Sequence, residues 1–333
     1  MSIKILYIGN NNTKNETTLK LLSNSLLNED YDIIVTSNKQ NKFFRLLDMC
    51  VHILKLSFKL DFVIIDTYST TNFYYAFICS QICRIFKLKY ITVLHGGNLP
   101  SRLKKNKFLS SLIFNNAYKN VSPSMYLKKE FENYNYVVDE IPNIIQIDKY
   151  PFLKRNNIKP KLLFVRAFHE IYNPIMALNV LKEVLKSFPE ATLCMIGPIK
   201  DNSHQNFLNL ASQYNLIDKI EITGFLSKEE WHKKSKEFDI FINTSNFDNM
   251  PVSVIEAMAL GLPIVSTNVG GLPYLIEENI SGLLVDKNDV KAMANAINLI
   301  VEGKHQNLAI NARKKVESFS WNSVRKKWLE ILK

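Results

Sequence analysis

Short apolar runs alternate with stretches of helical period from one end of the chain to the other. The runs at residues 3–8, 31–36, 62–66 and 90–94 read as strands, with shorter ones at 120–121 and 137–141. A second series begins at residues 161–165 and continues at 191–196, 219–223, 240–243, 264–266 and 282–285. A run that is apolar throughout suits a strand buried on both faces, so the pattern predicts an α/β protein with parallel sheets covered by helices. Between the two series, residues 142–160 hold three prolines and three asparagines and no sustained period, which marks a linker. The expected organisation is one domain over 1–150, a second over 151–318, and a terminal helix over 319–333. That last segment carries Trp321, Val324, Trp328 and Ile331 at helical spacing behind a candidate Ser320 cap.

Composition agrees with two ordinary domains: 333 residues, 47% hydrophobic and 22% charged. No run approaches the roughly 18 uncharged apolar residues of a membrane span, and the N-terminus enters a strand pattern directly, so a cytoplasmic protein is expected. Four cysteines, Cys50, Cys79, Cys83 and Cys194, are scattered in apolar segments, Cys79 and Cys83 without nearby His or acidic ligands, and read as buried free thiols rather than metal ligands or disulfides. The formal net charge of +11 is uneven. Residues 1–150 carry 19 Lys and Arg against 12 Asp and Glu, a net +7, and residues 151–333 carry 23 against 19, a net +4. The excess concentrates in two segments, from Lys42 to Leu60 and from Ser101 to Leu109. In the first, Lys42, Arg45, His52, Lys55 and Lys59 leave Phe43, Phe44, Leu46, Leu47, Val51, Ile53, Leu54 and Phe58 on a wide apolar face. Such a helix either lies on an anionic membrane surface or packs on its own sheet with solvated lysines. Nucleic acid is not an expected partner, because the basic residues lack a recognition motif.

Glycine is scarce, ten in the chain, and Gly9, Gly96, Gly97, Gly197 and Gly224 all follow predicted strands closely. Open α/β sheets collect ligands at that edge. Neither a G-x-G-x-x-G fingerprint nor a Walker loop is present, which argues against ordinary dinucleotide or ATP sites. Asp30-Tyr31-Asp32 precedes a strand and reads as a solvated turn.

The densest chemistry lies in NTSNFDNMPVSVIEAMALGLPIVSTNVGGLPYLIEENISGLLV, residues 243–285. Asp248 and Glu256 stand either side of a loop and a helix start, and Pro251 suits the first helical turn. The spacing Asp248-x7-Glu256, followed by Gly261-Leu262-Pro263 and Gly270-Gly271-Leu272-Pro273, resembles the donor-site signature of family 4 retaining glycosyltransferases. The resemblance implies a GT-B fold: two Rossmann-like domains facing each other across a cleft, the first acceptor-side, the second binding the donor nucleotide, with the last helix returning to the first. It implies a nucleotide-sugar donor, no metal and no cofactor.

Roles follow the same resemblance. Glu256, an acceptor-only carboxylate, would hold the donor ribose; an exposed helix glutamate is the plainer alternative. Asp248 would contact donor sugar hydroxyls, one methylene shorter than the family's usual glutamate. Backbone amides from Asn249 through Met250 and Pro251 to Val252 would face the anionic part of the donor, with Gly224 and Phe225 also on the donor side. The family's diphosphate clamp of arginine and lysine is altered: Ala167 and Tyr172 occupy those positions, and Arg166 is the available cation. A salt bridge from Arg166 to Glu170 is its structural alternative. Arg166 and Asp248 should meet at the same donor. His95, before Gly96-Gly97, would lie beside the transferred sugar and orient groups by hydrogen bonds, while Gly9 and Asn10, with Asn11 and Asn12, would form an acceptor or phosphate rim; His169 is ambiguous. The activity this implies is sugar transfer from a nucleotide diphosphate to a hydroxyl acceptor, with a lipid-linked glycan at the inner membrane face suggested by the basic, apolar first half. A sugar-nucleotide epimerase and a non-catalytic nucleotide-sugar-binding scaffold are the rivals.

Overall fold

A computed structural model describes residues 2–11 and 17–333. Two six-stranded sheets, all parallel in their pairings, organise the described residues. The first holds β1 (Lys4–Ile8), β2 (Asp32–Thr36), β3 (Phe62–Thr67), β4 (Lys89–Leu94), β5 (Lys119–Ser122) and β6 (Asp139–Glu140), in the order β2-β1-β3-β4-β5-β6. The second holds β7 (Lys161–Val165), β8 (Thr192–Ile196), β9 (Ile220–Gly224), β10 (Ile240–Asn243), β11 (Ile264–Thr267) and β12 (Leu283–Val285), in the order β12-β11-β10-β7-β8-β9. Each strand overlaps one of the apolar runs. The central β3 is buried along its whole length, as a strand covered on both faces must be.

The chain divides into two compact units, one of Met1–Ile145 with Phe319–Lys333 and one of Gln146–Ser318. The terminal helix Trp321–Ile331 joins the first unit through its apolar face: Val324, Trp328 and Ile331 are buried in one cluster with Ile5, Leu22 and Ile64. Trp321 donates its indole N–H to Glu29 at 3.0 Å, and Arg325 pairs with the same carboxylate at 2.8 Å. Ser320 precedes this helix without capping it; its hydroxyl meets Ser323 instead. The second unit packs Leu178, Leu181, Ile297 and Ile300 from its helices against Phe164, Met195 and Ile242 of its sheet.

Helix Lys42–Leu56 packs on its own sheet by one face and leaves a second apolar face exposed. Asn41 caps it by accepting from the amides of Phe43 and Phe44. Its inner face buries Met49 and Ile53, with Arg45 folded onto the carbonyls of Lys39 and Gln40. Outward, it leaves Phe43 at 65%, Phe44, Leu47, Val51 and Leu54 exposed, and Phe58 just beyond it at 94%. Positions 44, 47, 51, 54 and 58 recur at three and four residues, a continuous apolar stripe on the solvent side. In the other basic segment, Arg102 is taken up structurally by the Ser69 carbonyl and the Phe73 and Tyr74 rings, while Lys104, Lys105, Lys107 and Phe108 stay exposed. Cys50 is only half-buried, a departure from the expectation for the thiols; all four cysteines are free. Among the described residues no helix is long and apolar enough to cross a membrane.

Candidate functional site

In each sheet the strand order reverses beside the strand that starts the unit, between β1 and β3 in one and between β7 and β10 in the other. Such switch points leave a crevice at the carboxyl ends of the strands. Polar side chains gather at both.

In the second unit, the loop after β10 is stitched in place. Asn243 donates to Ser266 at 3.0 Å and accepts from Ser245 at 2.9 Å, Thr244 donates to the Tyr172 and Asn173 carbonyls, and Thr267 donates to the Ser245 carbonyl. The Asp248 carbonyl accepts from the Gly271 amide at 2.9 Å. A Cβ on Gly270 would stand 1.9 Å from the Asp248 oxygen, and one on Gly271 would stand 2.0 Å from the Asn249 oxygen. Only glycine lets the two loops approach so closely.

That approach carries Asp248 across the switch point to the loop after β7, where its Oδ2 meets Arg166 Nη2 at 2.5 Å. Arg166 lies over the Tyr172 ring, 4.9 Å from its centre, and its Nε is buried without a partner. The Arg166–Glu170 bridge does not form: Glu170 instead gives its amide to Asp201, and His169 accepts from the Ile171 amide, a local turn contact. Tyr172, at the family's lysine position, is therefore a platform for Arg166.

Glu256 is 3% exposed, which removes the reading of an exposed helix glutamate. Its Oε1 accepts from the Tyr150 hydroxyl at 2.9 Å and faces Lys228 Nζ at 2.8 Å; His232 Nε2 stands 3.6 Å from Oε2. Burial pushes this carboxyl up, but His232 and Lys228 outweigh it and hold the group below the ordinary glutamate value. Lys228 follows Gly224 and the exposed ring of Phe225 closely in sequence, so the β9 end and Glu256 are tied by one ion pair.

Helix Val252–Ala259 begins one residue later than the proline rule suggests, because Pro251 has an extended ψ of 116° and sits at the cap. The Asn249 amide is already held by Asp248 Oδ1 at 2.9 Å, and Pro251 has no N–H, so of the four expected amides only Met250 and Val252 can serve an anion. Asn249 and Pro251 are buried, Met250 is half-buried and Val252 exposed.

At the first unit's switch point His95 is 5% exposed and its Nε2 lies 2.9 Å from Asp66 Oδ1. Tyr7 donates its hydroxyl to the same oxygen at 3.0 Å, and the Tyr68 ring stacks on the imidazole at 4.7 Å. Gly9 exchanges backbone hydrogen bonds with Thr36 and Ser37, and a Cβ there would stand 2.6 Å from Asp66 Oδ2. Gly9 therefore makes room for the carboxylate. Asn10 is half-buried, Gly96 and Gly97 follow His95 at the surface, and Asn12 lies outside the described residues. Among the described residues no group of three or more His, Cys, Asp or Glu could hold a metal ion.

Asp66, Tyr7, Tyr150, Lys228 and His232 carry no motif signal. Asp66 interrupts an apolar run at a strand's carboxyl end, and that position is the one clue the sequence offered.

Two open parallel sheets, each with a crevice at its switch point, define a double Rossmann-like class of fold. Residues 147–315, just over half of the chain, match the family Glycosyl transferases group 1, and the chain belongs to that family. It is 35% identical over 127 residues to the amylovoran biosynthesis glycosyltransferase AmsK of Erwinia amylovora, covering 35% of this chain and 31% of that protein. To the Escherichia coli UDP-Gal:alpha-D-GlcNAc-diphosphoundecaprenol alpha-1,3-galactosyltransferase it is 23% identical over 195 residues, covering 54% and 49%. The chain thus spans less than half the length of these curated relatives. The crystal structure of Anabaena Alr3699/HepE in complex with UDP superposes with a TM-score of 0.77 at 15% identity, covering 100% of this chain and 99% of that one. The fold is GT-B.

Proposed function

We propose that this protein is a retaining, metal-independent glycosyltransferase that moves a hexose from a nucleotide diphosphate to a hydroxyl of a lipid-linked glycan in surface polysaccharide synthesis. The observation that carries the reading is the Arg166–Asp248 pair at the second sheet's switch point, whose loop packs on Gly270 and Gly271, with Glu256 buried on the helix that follows the same loop. Arg166 serves the donor diphosphate, with the Met250 and Val252 amides beside the helix start. Asp248 accepts from sugar hydroxyls once Arg166 turns to the phosphate. Glu256 accepts from the ribose diol, which then shares or displaces Lys228. His95 orients the transferred sugar and acceptor. In transfer, the bond from the anomeric carbon to the phosphate oxygen breaks, the acceptor oxygen bonds that carbon on the same face, and its proton passes to the departing diphosphate.

UDP-hexoses head the donor panel because one relative's name specifies UDP-galactose and one structural neighbour is solved with UDP. UDP-, GDP- and ADP-sugars are screened by thermal shift, then assayed with and without a diphospholipid-linked acceptor. Donor-dependent product requiring the acceptor is expected; an altered sugar nucleotide without acceptor would indicate an epimerase, and binding without turnover a scaffold. Glu256→Ala should weaken the best donor about 10- to 100-fold, since a hydrogen bond to a charged group is worth about 1.5–3 kcal/mol. Unchanged affinity would overturn the ribose role.

The apolar stripe of helix Lys42–Leu56 with Lys42, Lys55 and Lys59, together with Lys104, Lys105 and Lys107, supports peripheral binding at the cytoplasmic membrane face. Cosedimentation with vesicles containing anionic lipid is expected at low salt and should drop when Phe43, Phe44 and Phe58 become serine. No binding at low salt excludes this part of the reading.

A further inference from the structure

His95 is usefully placed only if its ring presents a defined face, because either nitrogen of a neutral imidazole can carry the proton. In this structure one nitrogen is committed. Nε2 lies 2.9 Å from Asp66 Oδ1, and a carboxylate only accepts, so the proton belongs on Nε2. The ring makes no other hydrogen bond among the described residues. In the neutral ring, Nδ1 is then the nitrogen left to accept.

The carboxylate is located from two sides and the ring from a third. Tyr7, fully buried on β1, donates to the same Oδ1 at 3.0 Å. Gly9 leaves the space that Oδ2 occupies. Tyr68 stacks on the imidazole at 4.7 Å and an interplanar angle of 18°, which fixes the ring plane. The His95 backbone is bound as well, its amide donating to the Thr67 carbonyl at 2.8 Å. Backbone, plane and one nitrogen are all determined, so rotation of the ring would break the Asp66 bond.

We infer that Asp66 is the positioning residue of His95: it holds the imidazole by Nε2–H, with Tyr7 fixing the carboxylate, so that Nδ1 is offered as hydrogen-bond acceptor to a substrate hydroxyl. Asp66 touches no substrate. The inference rests on the transferase reading for its consequence in turnover, but the ring's protonation can be read without turnover.

The test uses the full chain with ¹⁵N-labelled histidine. Ring nitrogen shifts of His95, assigned by their loss in His95→Gln, are expected to show the proton on Nε2. A proton on Nδ1 overturns the inference before any variant at Asp66 is made. Asp66→Leu in a Tyr7→Phe background, which avoids orphaning the buried hydroxyl, should release the ring into a mixture of tautomers. Relative to Tyr7→Phe alone, kcat should fall about 10- to 100-fold, the scale of one charge-assisted hydrogen bond. Donor KM should stay within about twofold, because the proposed partner of His95 is a hydroxyl and not the nucleotide. Asp66→Asn, which keeps shape and an acceptor oxygen, should recover part of kcat. A folded double variant whose tautomer or kcat equals that of Tyr7→Phe overturns the inference. If the wild type transfers no sugar at all, the transferase reading fails while the nitrogen shifts still decide whether Asp66 sets the ring.

Discussion

At the scale of single residues, the two acids of the signature have different surroundings. Asp248 meets one cation, whereas Glu256 is enclosed by a hydroxyl, an ammonium and an imidazole. A carboxyl held below its ordinary value contributes stability that is present above the unfolded value and lost as pH falls through the lower folded one. For Glu256 the unfolded value is 4.5, so the contribution is complete at neutral pH and fades only in acid below that. Glu256→Gln should therefore be less stable than wild type at pH 7, with the gap between their urea midpoints closing as pH drops below 4.5. A gap that widened in acid would mean that the carboxyl is raised rather than lowered. Because His232 and Lys228 supply the shift, replacing Lys228 by Met should shrink the same gap at neutral pH.

At the scale of elements, the site is a matter of how closely two loops can pass. Gly271→Ala places a methyl group 2.0 Å from the Asn249 oxygen, so one loop must move. Displacing the 248–249 loop separates Asp248 from Arg166, and the variant should lose donor-induced thermal stabilisation while costing about 1–3 kcal/mol of fold stability. Retention of both in a melting experiment would show that the loop can yield without consequence. The central strands were legible because each is a compact apolar run, whereas β5 and β6, KNVS and DE, show only through apolar neighbours; the signature loop was legible because its acids, prolines and glycines lie within one short stretch. What the sequence concealed was partnership at long range. The meeting of Arg166 with Asp248, 82 positions away, was expected from the family resemblance alone, since the local pattern offers Glu170, four residues on. Tyr150 reaches Glu256 across 106 positions, and nothing local to either marks the pair. Asp66 was hidden for a different reason: inside Phe62–Thr67 it counts as one polar residue in a core strand, and only the adjacent β1 and the end of β4 give it Tyr7 and His95 to hold. The outward stripe of helix Lys42–Leu56 was visible as apolar spacing, but periodicity alone does not say which of two apolar faces a sheet will cover.

At the scale of the whole molecule, the chain leaves its first unit at residue 145 and returns to it at residue 319. The returning helix is therefore a part of the first core supplied from the far end of the sequence. Trp328 is 3% exposed and packs among first-unit side chains, so Trp328→Ala should cost about 3–5 kcal/mol there. Spread over a unit of this size, that lowers its melting temperature by roughly 10 °C. On the proposed function, UDP binds through the second unit and acts on the other transition, adding about 2.7 kcal/mol at a hundred times its dissociation constant. Differential scanning calorimetry should thus resolve two transitions, one moved by Trp328→Ala and the other by UDP. If both perturbations shift a single transition by the same amount, the two units unfold as one, and the helix stabilises the entire chain rather than the unit whose core it completes.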